Sequence, residues 1–143
     1  MEIKKIEQIA REAHKGQTRW NGDDYITHPI RVSKKMPNDK LKAVALLHDI
    51  LEDTDVTGHD LLDKGVSQEI VQTVCFLTRE KDESYSEYID LIARSGKSAT
   101  GAITVKIADL EDNLFDLEDG PQKDKYELAL LFLESKLEEN ENE

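Results

Sequence analysis

The segment LLHDILEDTD, residues 46 to 55, sets an ionisable pair, His48 and Asp49, inside an apolar run and places Glu52 and Asp53 one helical turn further on. Burying such a pair without partners costs several kcal/mol, so either the run is exposed there or something binds the pair. A helix turning by about 100° per residue puts His48, Asp49, Glu52 and Asp53 within one arc, opposite Val44, Leu47, Ile50 and Leu51. The solvated face of an amphipathic helix explains most such acidic pairs. Here the density of acids, the histidine one turn away and the apolar lead-in KAVALL weigh towards a bound cation.

A metal ion needs more ligands than two neighbours supply, and the chain offers few. His28 sits in YITHPI at a helix start, and Asp109 sits in VKIADL, again an acid within apolar sequence. Alone, a histidine is more often a hydrogen-bonded structural residue, and an aspartate often caps a helix or pairs with a lysine such as Lys106. As a set, His28, His48, Asp49 and Asp109 offer two nitrogens and two oxygens without sulfur, which suits manganese, iron, zinc or magnesium and not a cysteine-type structural zinc. Cys75 is the single cysteine, so no intrachain disulfide and no thiolate cluster forms. A divalent ion makes water more acidic and accepts charge growing on phosphate oxygens. Beside it, Glu52 is the first choice to orient or deprotonate that water, with Asp53 helping to position it or protonating the leaving oxygen. His14 and Lys106 can reach a phosphate, although a structural role suits each better. His59 lies outside every motif and is placed on the surface.

The elements that must position these residues read as helices. Ile3, Ile6, Ala10 and Ala13 recur at helical spacing, with Gly16 available to close the helix. Thr27 and Pro29 mark the entry to a second helix that ends before Pro37, and Asn38 or Asp39 caps a third, which contains the segment from residue 46. Ser67 precedes a helix with Ile70, Val71, Val74 and Cys75 on one face. Ser84 and Glu87 form a capping box before Tyr88, Ile89 and Ile92. Tyr126, Ala129, Leu130, Leu133 and Leu137 form an amphipathic closing helix. AITVKI, residues 102 to 107, is β-branched enough for a buried strand; without a partner strand in the sequence it is assigned to a helix. The expectation is an all-α single domain over residues 1–138, with an acidic tail at 139–143 that frays.

The 143 residues carry 19 Lys and Arg against 31 Asp and Glu, a net charge of −12 that argues against nucleic-acid and acidic-membrane partners. Residues 11 to 42 run the other way: Arg11, Lys15, Arg19, Arg31, Lys34, Lys35, Lys40 and Lys42 face only Glu12, Asp23, Asp24 and Asp39. A phosphorylated ligand is better received there, with chance clustering on a solvated face as the equal alternative. No run of about 18 apolar residues suits a membrane span, and MEIKKIEQIAREAHKG lacks a signal peptide's apolar middle, which together point to the cytoplasm. Oligomeric state is not legible.

The order H…HD…D resembles the HD superfamily of metal-dependent phosphohydrolases. AHKGQTRWNGDDYITHPIRV is similar to the opening motif of the hydrolase domain of RelA/SpoT-type alarmone enzymes and their stand-alone metazoan relatives, HDILEDT to their HDxxEDT motif, and VKIADLEDNL to a later motif. The resemblance implies a helical HD-domain bundle in which His28, His48, Asp49 and Asp109 hold one divalent ion, usually manganese, with zinc, iron or magnesium as alternatives. It implies Glu52 and Asp53 as the catalytic acids, Asn113 against the nucleotide sugar and Arg19 flanking the base. Trp20 stands where the family often carries a basic residue, and can stack on a base. The reaction implied is hydrolytic removal of the 3′-pyrophosphate from guanosine tetra- or pentaphosphate. A phosphohydrolase for another nucleotide or phosphorylated metabolite, and a non-enzymatic nucleotide-binding module, are the alternatives; the acidic pair speaks against the second.

Overall fold

The computed structural model describes residues 1–94 and 100–142. The chain falls into two compact units, residues 1–78 and 79–143, and among the described residues it is helical, with no strand. Its elements are α1 (Ile3–Ala13), α2 (Thr27–Lys34), α3 (Asp39–Leu47), α4 (Ile50–Asp53), α5 (Gly58–Asp63), α6 (Gln68–Phe76), α7 (Tyr85–Arg94), α8 (Thr100–Leu114) and α9 (Pro121–Glu141). The all-α expectation holds. AITVKI lies inside α8, as a helix of 15 residues.

The first unit is built round α3. Ala43, Val44, Ala45, Leu46 and Leu47 are all buried, so the C-terminal half of this helix is apolar on every side, as suits a segment wrapped by neighbours. It packs against α1, α2 and α6, which bury Ile6 and Ala10, Val32, and Val71 and Val74 respectively. Each fully buried leucine or isoleucine contributes roughly 1.5–3 kcal/mol of transfer free energy, enough to hold the end of α3 firmly although two ionisable residues follow it. Asn38 caps α3 by accepting the Leu41 amide at 2.9 Å. On α6, by contrast, Cys75 is exposed and leaves the buried face to Val71 and Val74.

The helix expected to run through residues 46 to 55 is in fact broken. α3 ends at Leu47 and α4 begins at Ile50, with Asp49 at φ −104° and ψ −2° between them. The cause is local. His48 Nδ1 lies 2.5 Å from the Ala45 carbonyl, so the imidazole occupies an acceptor of the last turn, and side chains that bond nearby carbonyls compete with helix continuation.

Between α1 and α2 the chain makes a tight excursion. Arg19 donates its amide to the Asp23 carbonyl at 2.8 Å and Gly22 its own to Arg19 at 2.9 Å. Gly22 has φ +91°, a left-handed conformation that a side chain would strain. The turn carries Arg19 and Trp20, and Tyr25 closes it by donating its amide to the Gln17 carbonyl.

In the second unit, α8 packs on α7 and α9. Tyr88, Ile89 and Ile92 of α7, Ile103, Val105 and Leu110 of α8, and Ala129 and Leu133 of α9 are buried. Ser84 accepts the Glu87 amide at 3.1 Å at the head of α7, where the sequence placed a cap. α9 opens with Pro121 and stays helical through Glu141, into the stretch expected to fray; Glu143 lies outside the described residues.

Candidate active site

The first unit brings His28, His48 and Asp49 together. His28 projects from the first turn of α2, and His48 and Asp49 sit at the α3–α4 junction. His48 Nε2 lies 2.9 Å from Asp49 Oδ2 and His28 Nε2 lies 3.8 Å from the same oxygen. The two imidazoles meet edge to face with centroids 5.2 Å apart, and both are buried. One ligand atom from each of the three residues lies within 4.8 Å of the others.

The protonation pattern follows from the partners. A carbonyl oxygen only accepts, so His48 Nδ1 carries a hydrogen towards Ala45 and, in the neutral ring, Nε2 presents its lone pair. That lone pair faces a carboxylate oxygen. Tyr25 donates its hydroxyl to the same Asp49 oxygen, so the phenol hydrogen is also spent there. Two electron-rich atoms 2.9 Å apart are reconciled only by a proton or a cation between them, and an imidazole oriented through its other nitrogen by a backbone carbonyl is how metal-ligating histidines are held. The donor set therefore fits a divalent cation that takes nitrogen and oxygen ligands.

Glu52 and Asp53 follow on α4, both exposed at its surface. The Asp53 carboxyl is pushed above its usual range, first by partial burial and then by the negative charge of Asp49; His14, the nearby Tyr25 hydroxyl and His48 act in the opposite direction. The residue keeps a solvent-facing side while its acid group is partly shielded. Gln17 anchors α4 from outside by donating from Nε2 to the Asp53 carbonyl at 2.9 Å. Neither Tyr25 nor Gln17 stands out in the sequence. The one signal is their place within AHKGQTRWNGDDYITHPIRV, where Tyr25 precedes His28 by about one turn.

Arg19 is buried, and its guanidinium carbon stands 4.3 Å from the centre of the Trp20 ring. Trp20 is 54% exposed, which leaves an indole face open above a buried cation. His59 is on the surface of α5, next to Asp63.

In the second unit Asp109 is buried on α8, and both of its oxygens are engaged within that helix. Lys106 Nζ lies 2.8 Å from Oδ2 and Asn113 Nδ2 donates to Oδ1 at 3.2 Å. Burial alone would draw the Lys106 ammonium down, but Asp109 and the rings of Tyr88 and Tyr85 together hold it well above its usual value. Lys106 thus stays charged and fixes the carboxylate, the structural alternative that the sequence raised for this pair.

No protein-family model matches the chain. Over 127 residues it is 36% identical to the bifunctional (p)ppGpp synthase/hydrolase SpoT of Escherichia coli K12, an alignment covering 79% of this chain and 18% of that protein. It is 32% identical over 117 residues to a guanosine-3′,5′-bis(diphosphate) 3′-pyrophosphohydrolase of Vibrio cholerae, covering 74% and 16% of the two chains. A protein of the same name from Aquifex aeolicus is 30% identical over 122 residues, covering 79% and 17%. The chain therefore spans less than a fifth of the length of these relatives. Among solved structures, a metazoan ortholog of SpoT that hydrolyzes ppGpp superposes with a TM-score of 0.74 at 24% identity, covering 96% of this chain and 92% of that one. Over most of its length the chain is a homologue of SpoT-type proteins, and its helical fold is that of the metazoan ortholog.

Proposed function

We propose that the chain is a metal-dependent phosphohydrolase that removes the 3′-pyrophosphate from guanosine tetra- or pentaphosphate, acting as one hydrolase domain over residues 1–138 in the cytoplasm. The observation that carries the reading is the α3–α4 junction, where a fixed imidazole lone pair and a carboxylate converge 2.9 Å apart, one turn before two acids. The names of the relatives support the substrate.

His28, His48, Asp49 and Asp109 would hold one divalent ion, with manganese the first choice and zinc, iron or magnesium the alternatives. Such an ion supplies Lewis acidity, accepting charge on phosphate oxygens and easing the loss of a proton from water near neutral pH. The protein's own groups do the rest. Tyr25 and the Ala45 carbonyl orient Asp49 and His48, and Lys106 orients Asp109. Glu52 takes a proton from the attacking water. Asp53 gives a proton to the leaving oxygen. Arg19 and Trp20 flank the base, the indole by stacking, and Asn113 contacts the sugar.

The test is product analysis with manganese-loaded protein and guanosine tetraphosphate. Release of pyrophosphate with the 5′-phosphates untouched is expected. Guanosine tetraphosphate left intact while another nucleotide is hydrolysed would overturn the alarmone reading and leave the phosphohydrolase; no hydrolysis across a nucleotide panel would favour a binding module.

A further inference from the structure

His14 is neither a metal ligand nor one of the two acids, yet it is 2% exposed, and polar side chains buried so deeply are almost always fully hydrogen-bonded. Its Nδ1 lies 2.8 Å from Gln17 Oε1, and Gln17 Nε2 in turn donates to the Asp53 carbonyl. The direction of this relay is forced. The Asp53 carbonyl only accepts, so the Gln17 amide nitrogen faces Asp53, its oxygen faces His14, and Nδ1 carries the hydrogen. In the neutral ring Nε2 then holds a lone pair, and this atom is buried with no hydrogen-bond partner. The Tyr25 ring packs on the imidazole with centroids 4.8 Å apart and fixes its plane. The Tyr25 hydroxyl is within hydrogen-bond reach of the Asp53 carboxyl, so the ring that packs on His14 belongs to the same side-chain cluster as that carboxyl.

Resting on the phosphohydrolase reading, we propose that His14 is a positioning residue for Asp53. Its Nδ1–H sets the backbone of the acid through Gln17, and its Nε2 lone pair accepts from one water molecule that bonds onward to the Asp53 carboxyl. Asp53 is then held at both ends, so the acid meets the leaving oxygen in one orientation, and no proton leaves the imidazole in the process. A buried acceptor left without a protein partner is satisfied by a bridging water at little cost.

Two variants and one spectrum test it. His14→Asn keeps a donor where Nδ1–H stood and removes the acceptor at Nε2; His14→Ala opens a space that added imidazole can enter. Long-range proton–nitrogen correlation on the parent should show the Nδ1–H tautomer. Both variants should keep the parent's metal content and cooperative melt, lose about tenfold or more in kcat with KM within about twofold, and imidazole should restore part of the loss in His14→Ala. Should His14→Ala fail to fold, the asparagine variant decides. An Nε2–H tautomer, or an asparagine variant at the parent kcat, would overturn the assignment. A parent inactive on every nucleotide would overturn the phosphohydrolase reading and this inference with it, whereas an active parent with an undiminished asparagine variant overturns this inference alone.

Discussion

His48 is oriented by the helix it terminates. The Ala45 carbonyl takes its Nδ1 hydrogen and leaves Nε2 for the site, so a single turn of backbone both ends α3 and selects the tautomer. Asp49 is held by the Tyr25 hydroxyl, from a residue 24 positions earlier. The proposed division between ligand residues and reacting residues yields a prediction. Glu52→Gln combined with Asp53→Asn removes the acids without touching His28, His48, Asp49 or Asp109, so the double variant should keep its metal and lose about 100-fold or more in turnover; steady-state kinetics beside elemental analysis checks both halves. Parent-rate hydrolysis would mean the acidic pair is only a solvated face. The convergence of His28, His48 and Asp49 was legible in the sequence because histidine and carboxylate inside apolar runs are conspicuous. Tyr25 and Gln17 were not, because a phenol and an amide acquire a role only through partners far along the chain, and in the sequence His14 suits a structural residue or a phosphate contact because its tautomer is fixed only in the fold.

At the scale of elements, α1, α2, α6, α7 and α9 lie where periodicity and caps placed them, α3 begins at its expected cap, and AITVKI is helical because α7 and α9 bury it without any strand to pair with. The break at His48 and Asp49 was hidden, since a helical wheel carries no information on which carbonyls a side chain will occupy. α5 was missed as well. Its six residues are shorter than a periodicity window, and its capping box pairs Thr57 with Asp60 in place of the usual Glu or Gln. Thr57 accepts the Asp60 amide at 3.1 Å and Asp60 accepts the Thr57 amide at 2.9 Å. Thr57→Ala should therefore cost about 1 kcal/mol in denaturant melts at neutral pH. The Thr57 backbone and side chain hold the Asp60 carboxyl below its usual range. A lowered acid contributes stability that is present above the ordinary value of about 3.9 and lost as pH falls through the folded one. The difference in stability between parent and Asp60→Asn should accordingly persist at neutral pH and shrink in strong acid; a difference that grows as pH falls would reverse the sign of this coupling.

For the whole molecule, the charge distribution frames how the proposed polyanionic substrate would meet an acidic chain. The net charge is −12, while residues 11 to 42 hold eight basic side chains against four acids, and this stretch carries Arg19, Trp20 and His28. No described helix is long and apolar enough to cross a membrane. The proposed ligand set draws on both halves of the sequence, with three residues between positions 28 and 49 and the fourth at 109, so metal stoichiometry tests the reading as a whole. Purified protein, Asp49→Ala and Asp109→Ala should each be loaded with manganese, freed of excess ion and measured by elemental analysis, with thermal melts to confirm that each is folded. The account predicts about one ion per chain in the parent and a marked loss in both variants. Undiminished metal in both folded variants would contradict it.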